Sequence, residues 1–156
     1  MVEAQMINLL LVDDHELVRL GLRALFDTTS DLRVVGEAAT AEAAILQAVL
    51  LRPQVVLMDL RLPGGNGVQA CREILAEVPE SQILFLTSYS DQDSMLAATF
   101  AGARGYLLKE IGSEALVDAI RCTAAGQLLM DPAVNHQVVA WMRAFADRSP
   151  STAEGL

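Results

Sequence analysis

Five short apolar runs alternate with five helix-like patterns along the first 125 residues of the chain. The apolar runs are rich in Leu, Val and Ile and are flanked by turn residues, which is typical of buried parallel strands. The strand-like runs lie near 7–12, 33–38, 54–59, 82–87 and 104–108. The helix-like runs cover 15–27, 41–51, 67–77, 92–101 and 113–125. This alternation predicts an α/β fold, a doubly wound five-stranded parallel sheet with helices on both faces.

The composition agrees with such a fold and limits the classes of partner. Hydrophobic residues make up 53% of the 156 positions and aromatic residues only 4%, as expected for an aliphatic core on both faces of a sheet. The formal net charge of −9 argues against direct nucleic acid binding, because phosphate contacts need clustered Lys and Arg. No apolar run reaches the ~20 residues of a membrane span, and no signal peptide is evident. We therefore expect a cytoplasmic protein that makes no membrane contact.

The two cysteines lack the spacing of a metal site or of a disulfide framework. Cys71 and Cys122 both fall within helix-like patterns, and no CxxC pair occurs. Both are therefore predicted to be small residues of the hydrophobic core.

Charged residues stand at the carboxyl ends of three apolar runs. Asp13 and Asp14 follow the first run, Asp59 follows the third, and Lys109 ends the fifth. Ligands of open α/β sheets bind beyond the carboxyl ends of the strands, so these four charges are predicted to converge. Three unpaired acids would repel one another, and a divalent cation with oxygen ligands would neutralise them. The sequence therefore predicts a Mg²⁺ site at this edge of the sheet.

Phosphoryl transfer to an aspartate is the chemistry that best fits this group. A carboxylate can act as a nucleophile and form an aspartyl phosphate when the charge on the transferred group is neutralised. Mg²⁺ and Lys109 would supply that neutralisation, and Thr87 adds a hydroxyl at the end of the fourth strand. Taken singly, the acids could be helix caps or turn residues and the lysine a solvated side chain. Their joint placement at one edge favours a functional site.

A set of landmarks in fixed order carries a family resemblance. The landmarks are the pair Asp13–Asp14, Asp59 with Pro63 and Gly67 after it, the pair Thr87–Ser88, and the segment Gly105–Lys109. From about residue 6 to 127 the chain resembles the receiver domain of bacterial response regulators, which implies the flavodoxin-like strand order 2-1-3-4-5. Leu11–His15, Gly36–Ala38 and Gly105–Lys109 resemble more narrowly the NarL/FixJ subfamily, whose output is usually a LuxR-type helix-turn-helix domain.

The resemblance implies a role for each charged landmark. Asp59 would accept phosphate from the histidine of a sensor histidine kinase. Asp13, Asp14, Asp59 and the backbone carbonyl of Arg61 would hold Mg²⁺, with Asp14 bound more directly than Asp13. Lys109 would contact the phosphoryl group. Such a domain is a phosphoacceptor that assists its own phosphorylation and dephosphorylation, and it is not an enzyme in the usual sense.

The resemblance also assigns the neighbouring uncharged side chains. Thr87 would be the switch hydroxyl that moves to the phosphoryl oxygens, and Tyr106 would be the switch aromatic on the fifth strand. A half-buried strand position is compatible with that role of Tyr106. Ser88 and Tyr89 would border the pocket. His15, next to the acids, is the weaker candidate for a metal ligand, because Mg²⁺ prefers oxygen.

The resemblance divides the chain into three parts. Residues 1–127 would form the receiver domain, 128–147 a C-terminal helical extension and 148–156 a linker. A DNA-binding output domain would follow, and DNA would be contacted only through it. Phosphorylation would favour a homodimer. The apolar side chains of the extension, which would form a dimer contact or pack on the domain, are Trp141, Met142 and Phe145.

Three other functions would use some of the same residues. A stand-alone receiver acting through protein contacts remains open. An aspartate-nucleophile phosphatase needs a second acid two residues after its nucleophile, where this chain has Arg61 or His15. A flavodoxin-like cofactor protein needs a phosphate-cradling loop after the first strand, where the acids of this chain would repel phosphate.

Overall fold

The computed structural model of the protein describes residues 6–88, 92–127 and 129–130. The strands are β1 (Ile7–Val12), β2 (Leu32–Ala38), β3 (Val55–Met58), β4 (Arg61–Leu62), β5 (Gly65–Asn66), β6 (Gln82–Thr87), β7 (Gly105–Leu108) and β8 (Leu129–Met130). The helices are α1 (Glu16–Asp27), α2 (Ala41–Leu51), α3 (Gly67–Glu77), α4 (Gln92–Phe100) and α5 (Ser113–Ala124). Every predicted strand and helix is present, with each end within one residue of the predicted position.

The main sheet is parallel throughout and runs in the order β2-β1-β3-β6-β7-β8. When the hairpin strands β4 and β5 are left out of the numbering, the first five strands of this sheet have the order 2-1-3-4-5. This is the predicted flavodoxin-like order, and it confirms the fold class. The two-residue β8 extends the sheet, with Leu129 opposite Gly105 and Met130 opposite Tyr106. The separate hairpin of β4 and β5 follows Asp59. Neither the sixth strand nor the hairpin was predicted from the sequence.

Helices cover both faces of the sheet, which explains why its strands are apolar at consecutive positions. On one face, Leu10 and Val12 of β1 belong to a core that also contains buried residues of α2, α3 and α4. On the other face, Leu9 and Leu11 pack in a core with residues of α1 and α5. Because alternate residues of a strand point to opposite faces, β1 is buried on both sides. The strand ends are thereby held in a rigid layer.

Local sequence sets where two of the helices begin. Thr40 caps α2, because its side chain accepts a hydrogen bond of 3.0 Å from the backbone N–H of Ala43. Asn66 caps α3 in the same way, accepting from the N–H of Gln69 at 2.8 Å. The second of these caps fixes the start of the helix that follows the Asp59 loop.

The predicted C-terminal helical extension and the linker 148–156 lie outside the described residues, apart from the strand β8. The apolar positions Trp141, Met142 and Phe145 of that extension lie there too. Among the helices that are described, none is long and apolar enough to cross a membrane.

The two cysteines differ in their surroundings. Cys71 in α3 is fully buried, and burial raises the pKa of its thiol to about 12. Cys122 in α5 is only partly buried. The prediction of a core position is therefore confirmed for Cys71 and only partly right for Cys122.

We expect alkylating reagents to modify Cys122 of the folded protein much faster than Cys71. The thiolate is the reactive form, and the buried Cys71 rarely ionises at mildly alkaline pH. Peptide mass mapping after brief treatment with a maleimide measures both rates, and the same treatment in urea supplies the control, in which both thiols react. Equal rates in the folded protein would contradict this expectation.

Candidate functional site

The backbone of the sheet positions the charged residues at its carboxyl edge. Asp13, Asp59 and Lys109 lie just beyond β1, β3 and β7, and the amide of each still donates to a neighbouring strand. The acceptors are the carbonyls of Ala38 (3.0 Å), Val12 (2.9 Å) and Thr87 (2.8 Å), respectively. The three side chains therefore start from backbone that is fixed by the hydrogen-bond ladder of the sheet.

Lys109 bridges two buried carboxylates. Its Nζ lies 2.7 Å from Oδ2 of Asp13 and 2.9 Å from Oδ2 of Asp59. Both aspartates are about one-twentieth exposed, whereas the lysine side chain is one-fifth exposed. Two acids and one cation that are far apart in the sequence thus form one ion-paired group.

The ion pairs keep Asp13 and Lys109 charged despite their burial. Burial by itself would raise the pKa of Asp13, but hydrogen bonds from Lys109 and from the backbone and ring of His15 hold that pKa below its usual value. Burial would likewise lower the pKa of Lys109, but its hydrogen bonds to Asp13 and Asp59 raise it. Asp13 is therefore anionic and Lys109 cationic at neutral pH.

Four side chains of this edge offer ligand atoms for a cation. Asp13, Asp14, His15 and Asp59 each place one such atom so that all four lie within 4.8 Å of one another. Three of the four are carboxylates, which supply the oxygen ligands that Mg²⁺ prefers. The ring Nδ1 of His15 lies 2.8 Å from Oδ1 of Asp13 and 3.2 Å from Oδ1 of Asp14, so the ring contacts the acids themselves. The donor set therefore fits a divalent cation.

Two arginines of α1 and a glutamate of β2 form a structure that we call the Arg19–Glu37–Arg23 clamp. Nη1 of Arg19 donates to the backbone carbonyl of Asp13 at 2.6 Å, and its Nε donates to Oε1 of Glu37 at 2.9 Å. Arg23 donates to the other carboxylate oxygen of Glu37, with Nε at 2.9 Å and Nη2 at 2.8 Å. The clamp joins the acidic loop to the sheet.

The clamp should make stability depend on pH. Burial by itself would raise the pKa of Glu37. The hydrogen bonds and charges of Arg23 and Arg19 together have a larger, opposite effect, so the pKa of Glu37 lies below its ordinary value of 4.5. Glu37→Gln should cost about 1 kcal/mol of stability at neutral pH, because charge-assisted hydrogen bonds are lost. The stabilisation is present above the ordinary pKa and disappears as pH falls through the lowered pKa of the folded protein.

Thermal unfolding of Glu37→Gln and of the native sequence across acidic pH measures that difference. Glu42→Gln, on α2, is the matched control, since Glu42 has no ion pair in the part of the chain that the structure describes. If Glu37→Gln remained less stable than the native sequence by the same amount at the lowest pH, the role given to the ionised Glu37 carboxylate would be contradicted.

Gly67 packs directly against the loop that follows Asp59. Its N–H donates to the carbonyl of Leu60 at 2.6 Å. A Cβ at this position would lie 2.4 Å from the carbonyl oxygen of Asp59 and 2.9 Å from Cα of Leu60. Only glycine therefore lets α3 start so close to the loop.

The uncharged candidates lie on β6 and β7. Thr87 ends β6 and is fully buried, while Ser88 directly after it is exposed. Tyr106 lies on β7 and belongs to the core beneath α2, α3 and α4. Its side chain is almost completely buried, which is deeper than the half-buried strand position expected from the sequence. Tyr89 lies outside the described residues.

Comparison with known families decides what kind of domain this is. A family model for the response regulator receiver domain matches residues 9–121, well over half of the chain. The chain belongs to the response regulator receiver domain family. The matched segment of the receiver domain contains the acidic residues Asp13, Asp14 and Asp59 together with Thr87 and Lys109. The resemblance inferred from the sequence motifs is confirmed.

Individual relatives place the receiver domain more narrowly. It is 40% identical over 143 residues to the DNA-binding transcriptional activator DevR/DosR of Mycobacterium tuberculosis, covering 92% of this chain and 66% of that protein. The chain thus spans just under two thirds of that relative's length. The crystal structure of a LuxR-family two-component response regulator from Aurantimonas sp. SI85-9A1 has a TM-score of 0.81 at 35% identity, covering 88% of this chain and 99% of that one. These likenesses support the predicted NarL/FixJ subfamily.

A third relative was solved with a phosphate mimic. The isolated receiver domain of RcsB from Salmonella enterica serovar Typhimurium, in the presence of the phosphomimetic BeF₃⁻, has a TM-score of 0.77 at 25% identity. The match covers 86% of this chain and 99% of that one. This chain therefore shares its fold with a receiver domain whose structure was determined in the presence of a phosphoryl mimic.

The receiver domain brings together most of the charged residues singled out from the sequence. Asp13, Asp59 and Lys109 are in direct contact, and Asp14 lies beside them, partly exposed. The Arg61 side chain is exposed, and its backbone N–H lies 3.4 Å from Oδ1 of Asp59.

Sequence reasoning missed the contact of Arg19 with the acidic loop. A lone arginine in an amphipathic helix is usually solvated, so it gave no signal by itself. The available signal was Glu37, a charge inside an otherwise mostly apolar strand, which calls for a cationic partner.

Proposed function

We propose that this receiver domain is a phosphorylation switch in which Asp59 accepts a phosphoryl group from a sensor histidine kinase. One observation carries the proposal: Lys109 holds Asp13 and Asp59 together at a carboxyl edge that also contains Asp14. This group combines a buried nucleophile, a cation and additional oxygen ligands. Those are the components that phosphoryl transfer to a carboxylate needs.

The two oxygens of Asp59 are held differently. Oδ2 accepts the hydrogen bond from Lys109 at 2.9 Å, whereas within the described chain Oδ1 accepts only a long one of 3.4 Å from the N–H of Arg61. Oδ1 would therefore attack phosphorus, while the bond from phosphorus to the kinase histidine breaks. Lys109 remains beside the new aspartyl phosphate and pairs with its oxygens. The domain thereby assists its own phosphorylation and, with water as the acceptor, its own dephosphorylation.

Mg²⁺ is the cation that this donor set fits. Asp13, Asp14 and Asp59 would hold it, together with the backbone carbonyl of Arg61. When bound, it would neutralise charge on the transferred phosphoryl group. Burial of Asp13 and the exposure of Asp14 support binding at the rim of the site, where Mg²⁺ can keep several waters.

Thr87 and Tyr106 would convert the modification into a change of shape. The new phosphoryl charge of about −1.5 to −2 attracts a hydroxyl donor, and Thr87 ends the strand beside Lys109. Movement of Thr87 would leave space that the buried ring of Tyr106, on the neighbouring strand β7, could fill. Ser88 and Tyr89 would border the pocket. The altered surface would favour a homodimer.

The whole regulator would be a cytoplasmic transcription regulator of the LuxR type. The likeness to a DNA-binding transcriptional activator supports this. The net charge of −9 indicates that DNA contact would come from an output domain and not from these residues. The alternative is a stand-alone receiver that acts through protein contacts.

Intact-mass spectrometry tests the switch chemistry. We expect one phosphoryl adduct after incubation with Mg²⁺ and acetyl phosphate, and no adduct with Asp59→Asn or with EDTA. Asp27→Asn, at an exposed aspartate at the end of α1, is the matched control and should be phosphorylated normally. An adduct that survives Asp59→Asn would refute the assignment of the acceptor. A folded native chain that forms no adduct would point to an interaction module that does not depend on phosphate.

A further inference from the structure

The acidic loop between β1 and α1 is held from one side by the sheet and from the other by an arginine. The Asp13 amide donates to Ala38 of β2, and its carbonyl accepts a hydrogen bond of 2.6 Å from Nη1 of Arg19. The Arg19 side chain is only 17% exposed. The peptide plane between Asp13 and Asp14 therefore takes its orientation from Arg19. Asp13 and Asp14, which carry two of the three carboxylates that would bind the cation, lie at the two ends of that plane.

The guanidinium of Arg19 is itself fixed in place. Its Nε donates to Glu37, which lies opposite Leu11 in the register of β1 and β2. Arg23 holds the other oxygen of the same carboxylate at 2.8 Å. The contacts thus run from the sheet through Glu37 and Arg19 to the backbone of the acidic loop.

We propose that Arg19 is a positioning residue for the divalent cation, acting through the backbone carbonyl of Asp13. The inference rests on the proposed function, because it requires a cation at Asp13 and Asp14. Residues that orient metal ligands from behind affect metal affinity strongly, since ligands that are free to rotate must be ordered on binding.

A purely electrostatic role of Arg19 predicts the opposite change in cation affinity from a positioning role, so the two roles can be distinguished by experiment. A positive charge near a cation site weakens binding, so the loss of an arginine that acted only through its charge would tighten it. Loss of an arginine that positions the loop would instead weaken binding. Arg23 supplies the matched control, because it pairs with the same Glu37, lies one turn further along α1 and makes no contact with the loop carbonyl.

Isothermal titration calorimetry with Mg²⁺ on the native chain, Arg19→Gln and Arg23→Gln measures the effect. We expect the dissociation constant to rise about tenfold in Arg19→Gln and to stay equal or fall slightly in Arg23→Gln. Thermal unfolding in EDTA should show that both variants are folded and lose similar stability. The rate of phosphorylation by acetyl phosphate should be low in Arg19→Gln at limiting Mg²⁺ and should return towards the native rate at saturating Mg²⁺.

Equal Mg²⁺ affinities for Arg19→Gln and Arg23→Gln would overturn the inference while leaving the proposed function intact. Absence of Mg²⁺ binding by the native chain would instead remove the metal site on which both rest. If Arg19→Gln does not fold, Arg19→Lys against Arg23→Lys replaces it. Lysine keeps the charge but cannot hold Glu37 and the carbonyl with one planar fork. Weaker Mg²⁺ binding in Arg19→Lys alone supports the inference, and equal affinities overturn it.

Discussion

Lys109→Gln should destabilise the metal-free protein by about 3–5 kcal/mol, because removing one partner of a buried ion pair leaves its counter-charges uncompensated. Here two carboxylates, Asp13 and Asp59, lose the same ammonium at once. Both are almost completely buried and lie within reach of the partly exposed Asp14. Mg²⁺ should restore part of the lost stability, because it would neutralise the acids in place of the lysine.

Urea unfolding followed by circular dichroism, in EDTA and again in Mg²⁺, measures both effects. Arg72→Gln is the matched control, since it removes one positive charge from an exposed position of α3 that has no ion pair among the described residues. A Lys109→Gln protein as stable as Arg72→Gln in EDTA would show that the bridge contributes nothing.

Gly67→Ala should destabilise the protein by roughly 1–3 kcal/mol, because an added methyl group in a tightly packed place forces the backbone to move. The methyl carbon would lie 2.4 Å from the Asp59 carbonyl oxygen, which belongs to backbone and cannot rotate away. The loop that carries the phosphoacceptor must therefore shift. We expect phosphorylation by acetyl phosphate to slow strongly, even at temperatures where the variant is fully folded.

Gly21→Ala separates this effect from the general consequences of adding a side chain. Gly21 lies within α1, and a Cβ there would meet no atom within 4 Å apart from its chain neighbours and the adjacent backbone of its own helix. Alanine is favoured over glycine in a helix by about 1 kcal/mol, so the control should be equally or more stable and should be phosphorylated normally. Stability and rate at native levels in Gly67→Ala would show that the loop accommodates the methyl group.

The fold was predictable because its strongest signals are local. The strands β1, β3 and β6 are each apolar at several consecutive positions. Turn residues such as Pro53 and Pro79 separate these strands from the preceding helices. The predicted starts of α2 and α3 agree with the structure, in which Thr40 and Asn66 cap these two helices. The carboxyl edge followed from the topology, since parallel strands bring their ends together.

What the sequence could not reveal depends on distant pairs and on very short elements. The two residues of β8 are too few to show a period, and only the register with Gly105 and Tyr106 makes them a strand. The contact of Arg19 joins a helix to a carbonyl, and a backbone acceptor leaves no trace in the sequence. The bridging position of Lys109 depends on side-chain geometry, which topology alone does not specify.

The strand β8 also determines where the receiver domain can be cut. Without Leu129 and Met130, the backbone of β7 at Gly105 and Tyr106 would lie at an open edge of the sheet. Unpaired edges act as templates for strand pairing between molecules, which leads to aggregation. A fragment that ends at residue 127, the boundary suggested by the motifs, would expose that edge. A fragment that continues past Met130 keeps it covered and is the better choice for expression.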